Sequence, residues 1–156
     1  MYSCRISKYN PLNRDENGFY KDTNEWTSYS DFDAKIDKSE YFETEQKYID
    51  SIFYFIEDLG LEAVYLSDFE GEMDDIEHIL PIRSNQELSV QEIKEIAMLT
   101  LREVVWCKMT LQGKFFVHFG YDYYMYIGAY KDCPKARMKI EKSGLFVKNY
   151  TSPYLD

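Results

Sequence analysis

WCKMTLQGKFFVHFGYDYYMYIGAY, running from Trp106 to Tyr130, is the stretch on which the fold turns. β-Branched and aromatic residues dominate it, and glycines stand at two places where the chain must reverse, so it reads as a three-stranded antiparallel meander. Gln112-Gly113 and Gly120-Tyr121 are expected to be two-residue loops, the second a type II′ turn with Gly120 at φ > 0, where valine would be strained. Strand side chains alternate between faces, so loop length decides which residues share one. Two-residue loops place Cys107, Met109, Leu111, Phe116, His118, Met125, Ile127 and Ala129 on one face, which is expected to be core. The other face takes Trp106, Lys108, Thr110, Phe115, Val117, Phe119, Tyr124, Tyr126 and Tyr130, and is either a second core layer or a binding surface.

Upstream of the meander, Ser89-Val90-Gln91-Glu92 is a capping box, with serine at the helix start and glutamate three residues on. The helix it opens is expected over about 90–105, on Val90, Ile93, Ile96, Ala97, Leu101 and Val104. A longer helix is expected over about 39–59. Ser39 is its N-cap, Phe42, Ile49, Ile52, Phe53, Ile56 and Leu59 form its apolar stripe, and Gly60 is its left-handed stop. Strands are expected at Tyr2 to Tyr9, Leu61 to Leu66 and Leu145 to Tyr150, and a short basic helix from Pro134 to Lys142 before Gly144. Between Leu12 and Asp37 the chain reads as a structured loop, in which Trp26, Tyr29 and Phe32 pin a short helical turn to the body. The expected fold is therefore one α+β domain over 1–156. An antiparallel sheet of four to six strands is centred on 106–130, with both main helices on the Met109, Phe116 and Ile127 face.

The chain has 156 residues, enough to bury a core without staples, and a net charge of −10. That charge is uneven: residues 1–105 carry −14 and residues 106–156 carry +4. Between Glu57 and Glu77 nine residues are acidic (Glu57, Asp58, Glu62, Asp68, Glu70, Glu72, Asp74, Asp75 and Glu77) and none is Lys or Arg. Such a block sits on a solvated face or is completed by a basic partner. Nucleic acid and anionic membranes attract basic surfaces, so neither is expected as a partner. Three scattered cysteines without a C-x-x-C pair, no leader-like apolar segment and no apolar run of 18 residues give the expectation of a cytoplasmic protein with free thiols.

No motif in the chain spells out a reaction. The run Asp68 to Asp74 offers carboxylates without EF-hand spacing, and Cys107 with His118 would need Cys4, Cys133 or His78 to complete a zinc site, so no metal or cofactor is expected. His118 and Asp122, straddling the second turn, are an alternative base and orienter with Cys107 as nucleophile, but no nucleophile elbow or phosphate loop accompanies them. Binding is the stronger reading, because fifteen tyrosines, ten phenylalanines and two tryptophans exceed what a core this size absorbs, and Tyr and Trp are hot-spot residues. Asp68, Glu70, Glu72, Asp74, Asp75, Glu77, Tyr124 and Tyr126 are the residues expected to meet a basic protein partner. The chain would be a monomer or a weak homodimer, and the alternative is a regulatory or scaffolding module that binds a different protein or itself, self-association running through Phe115, Phe119, Tyr124 and Tyr126.

WTSYSDF (Trp26 to Phe32), HFGYDYYMYIG (His118 to Gly128) and SGLFVKNYTSPY (Ser143 to Tyr154) resemble small bacterial immunity proteins of polymorphic-toxin and contact-dependent inhibition systems. The resemblance implies a cytoplasmic, non-catalytic inhibitor of a co-encoded toxin domain, often a nuclease. A nuclease site is basic because its substrate is a polyanion, so an acidic inhibitor would be steered onto it by charge.

Overall fold

The meander forms, but both of its reversals are longer than two residues, and that decides the middle strand. The computed structural model describes residues 1–21, 28–31, 37–71, 83–120 and 124–155. In chain order the elements are β1 (Tyr2–Ser7), a 3-10 turn (Tyr29–Asp31), α1 (Lys38–Leu59), β2 (Tyr65–Glu70), α2 (Val90–Leu101), β3 (Trp106–Leu111), β4 (Phe115–Phe119), β5 (Met125–Ala129), α3 (Pro134–Ser143) and β6 (Phe146–Asn149). The six strands form one antiparallel sheet in the order β2-β3-β4-β5-β1-β6, an α+β fold.

Leu111 pairs with Phe115 and Phe119 with Met125, which leaves three residues in the first reversal and five in the second. Each loop differs from two residues by an odd number, so β4 is flipped relative to the expectation and β5 is flipped back. Phe115, Val117 and Phe119 therefore join Met109, Ile127 and Cys107 in the core, whereas Phe116 and His118 lie on the opposite face, paired with Thr110, Lys108, Gly128 and Tyr126. Gly113 does adopt a positive φ of 71°, but Gly120 does not. What restricts Gly120 is space, since a Cβ there would lie 3.1 Å from the Tyr124 carbonyl oxygen and 3.3 Å from the Tyr126 ring.

α1 carries Tyr41, Tyr48, Ile49, Ile52, Phe55 and Leu59 into the interior and packs along α3 as well as α2. Phe42, Phe53 and Ile56 are only partly buried, so the inward stripe is rotated from the expected one. Its N-cap is Asp37 rather than Ser39: the Asp37 carboxylate accepts the Ser39 N–H at 2.8 Å, and an ionised acceptor suits the positive helix start. Gly60 (φ 63°) ends it in the left-handed region, as expected. The α2 capping box is present in both directions, but α2 stops at Leu101, four residues short of the expected end. α3 runs into Gly144 and β6 pairs with β1, both close to expectation.

β2 begins at Tyr65 rather than Leu61, so residues 68–70 of the acidic block belong to an edge strand. Its outer side is partly paired by the segment entering α2, through Leu66 N–H to Gln86 O (2.9 Å) and Leu88 N–H to Val64 O (2.8 Å). A bulge between Ser67 and Glu70 holds Asp68 at φ 47°.

The second face is a second packed layer, covered by the C-terminal peptide. The Tyr154 ring stands edge-on to Trp106, His118 and Tyr126, while His118 stacks on Phe116 (4.3 Å) and its Nδ1 shares a 2.8 Å hydrogen bond with Ser152 Oγ. Gly128 makes room for the cross-strand Phe116 ring, since a Cβ at 128 would sit 1.9 Å from it. The buried Arg5 guanidinium lies between the Tyr124 and Tyr150 rings, 4.1 and 4.6 Å from their centroids. In the 12–37 region, Tyr29 packs edge-on to Tyr41, while Trp26 and Phe32 lie outside the described residues.

Candidate partner-binding site

At the end of the sheet where β2 finishes and β3 starts, the chain leaves a recess of about 280 Å³. Its walls come from the end of α2 (Thr100, Leu101), the connection into β3 (Val104, Val105, Trp106) and the β4–β5 reversal (Phe119, Gly120, Tyr124), and its rim carries Glu70 and Glu103. The walls are mainly apolar. The volume falls just below the roughly 300–1,000 Å³ typical of sites for whole small molecules, so the recess suits one side chain better than a cofactor.

α2 ends in a Schellman turn, with Val104 N–H bonded to Leu99 O (3.0 Å) and Glu103 N–H to Thr100 O (3.1 Å). Glu103 thus occupies the position usually given to glycine, at φ 60°, with its side chain exposed. The turn also leaves Val104 47% exposed beside the recess. Trp106 is held by its indole N–H, which donates to Phe119 O at 3.0 Å. Glu70 is its cross-strand partner, and its side chain is exposed. Tyr124 donates its hydroxyl to Tyr20 (2.9 Å), and burial with that contact pushes its phenol up to about 12, so it stays neutral near pH 7. Neither Glu70 nor Glu103 forms an ion pair with a described residue.

Of the expected partner-contacting residues, the structure brings Glu70 and Tyr124 together here. Asp68 is turned away and pairs with Lys108 Nζ at 3.0 Å, and Tyr126 is buried beneath Tyr150 and Tyr154. Glu72, Asp74, Asp75 and Glu77 lie outside the described residues, as does Asp122. Farther back in the acidic block, Glu57 pairs with Lys139 (2.6 Å) and Asp58 accepts the Ala136 N–H (3.0 Å) in the first turn of α3. Part of the block is therefore compensated by the basic C-terminal third, across about 80 residues of sequence. Glu103 was invisible to sequence reasoning because the helix was expected to run through it, and no glycine marked the stop.

The pairing of Cys107 with His118 expected in the catalytic alternative does not form. Cys107 and His118 lie on opposite faces of the sheet, and burial raises the Cys107 thiol to about 12, against a smaller lowering by its contact with Thr100. Cys4 and Cys133 are also pushed up to about 11, chiefly by burial. Burial of that kind disfavours the thiolate, the form in which a cysteine acts as a nucleophile. Among the described residues no three His, Cys, Asp or Glu side chains gather as a metal site, and no helix is long and apolar enough to cross a membrane. The proposed self-association face does not exist as a surface, since Phe115 and Phe119 are in the core.

No protein-family model matches the chain, and neither does a curated protein or a solved structure.

Proposed function

We propose that this chain is a cytoplasmic, non-catalytic inhibitor that binds a basic protein partner, a toxin domain encoded beside it, in the manner of an immunity protein. The observation that carries the reading is the recess: apolar walls and an anchored tryptophan, with two carboxylates that form no ion pair with a described residue. Trp and its apolar neighbours give a docked partner desolvated area, and the acidic charges beside them speed its arrival. The remaining acidity supports the same direction, because a chain at −10 repels polyanions and attracts a basic cleft.

The test starts from gene order and ends in a complex. The protein encoded next to this one is produced in cells with and without this chain, and the purified pair is run on a sizing column. The expected result is growth arrest relieved by co-production, and a stable complex whose association slows with salt. Arrest that co-production fails to relieve, with the two proteins eluting apart, would sink the proposal.

A further inference from the structure

The recess is specific enough to name what enters it. We infer that it receives an arginine side chain of the partner, with the guanidinium between Glu70 and Glu103 and the aliphatic stem against Trp106 and Val104; this rests on the reading of the chain as an inhibitor of a basic protein. Three observations converge on that occupant. The cavity is sized for a single side chain and is mostly apolar along its walls, which suits three methylenes. Two carboxylates that form no ion pair with a described residue, Glu70 and Glu103, line it from separate elements, and a guanidinium has donors enough for both. An indole and a phenol ring are part of the lining, and a planar guanidinium stacks on aromatic faces in a way that the compact, more strongly hydrated ammonium of lysine does not. The molecule already uses this chemistry internally, with Arg5 between Tyr124 and Tyr150 and Arg102 over Tyr29.

The backbone adds an independent argument. Glu103 holds a left-handed conformation at a helix end where glycine is the undemanding choice, and its carboxylate bonds to nothing within the described molecule. Strain retained without an internal contact points to an external one.

The test uses the whole protein carrying Trp26→Phe, so that the remaining indole signal belongs to Trp106. N-acetyl-arginine methylamide is titrated while the Trp106 indole N–H is followed by NMR, with the lysine and norleucine analogues as controls. The expected result is a saturable shift at millimolar arginine probe, weakened by salt, with the norleucine probe far weaker. Glu70→Gln and Glu103→Gln should each loosen the arginine probe by roughly two- to five-fold. Equal shifts from the norleucine probe would make the recess an apolar slot, and preference for the lysine probe would make it an ammonium site. A shift with protein concentration alone would make the occupant a second copy, and no shift at all would leave the recess empty of this function; each of these overturns the inference. Failure here with an intact toxin complex removes the arginine and leaves the inhibitor, whereas probe binding without any toxin complex does the reverse.

Discussion

Arg102 and Glu103 are neighbours in sequence and opposite in circumstance. Arg102 turns inward, where both Glu45 carboxylate oxygens accept from it at 2.7 and 2.8 Å, and Tyr29 and Phe42 cover its guanidinium. Glu103, one step along a Schellman turn, is rotated outward to the rim of the recess. On the covered side Glu45 is paired, and burial keeps Cys4 and Cys107 protonated. At the open end Glu70 and Glu103 form no ion pair with a described residue. The difference teaches that the charge available to a partner is set by which acids the fold has already neutralised, and not by how many the sequence contains.

That comparison can be broken most forcefully with alkali. Burial holds the Cys4 and Cys107 thiols near 11 and 12 against an ordinary 9.0. Below pH 9 both states keep the proton; above it the unfolded chain releases protons that the folded chain retains, so stability falls as pH rises. Two thiols give a loss of about 3 kcal/mol per pH unit over the upper part of that window. Urea midpoints that stay level between roughly pH 8 and 10.5 would show that the covered side is not closed to charge.

Next in size is Arg102→Met, which keeps the stem but strands a buried carboxylate at Glu45. A loss of about 3 kcal/mol in urea unfolding is expected, because removing one partner of a covered pair leaves the other uncompensated. A loss below about 1 kcal/mol would mean that Glu45 reaches water and that the pair behaves like a surface one.

Glu103→Gly sharpens the contrast by working in the opposite direction. Relieving a left-handed backbone should raise stability by about 1 kcal/mol and the melting temperature by roughly 2–4 °C, while partner binding weakens. A variant that melts lower would show that Glu103 supports the fold itself. The smallest effect belongs to Lys139→Ala, whose ion pair with Glu57 is exposed on both sides; the urea midpoint is expected to stay within error of the parent, and a drop comparable to that of Arg102→Met would overturn the ranking.

Much of the secondary structure was legible in sequence because its signals are local. The capping box at Ser89 and Glu92, the left-handed stops at Gly60 and Gly144, and the aromatic runs of β3, β4 and β5 each depend on residues a few positions apart. The candidate site was only half legible. Glu70 and Tyr124 were expected, and Trp106 was placed on the possible binding face, but Glu103 entered through a helix end that no glycine announced. Asp68 looked available until β3 supplied Lys108 across the sheet.

Alternation and capping in the sequence by themselves determined that this chain makes an antiparallel sheet with helices packed on it, since burying a periodic apolar pattern has few solutions. Tertiary structure alone decided which face each β4 residue takes, because one extra residue in a reversal exchanges Phe115 for Phe116 while leaving the pattern unchanged. It also decided which acids meet a cation of the same chain. Pairing of Glu45 with Arg102 and of Glu57 with Lys139 joins residues 57 and 82 positions apart, and only the closed chain brings such groups within reach of one another.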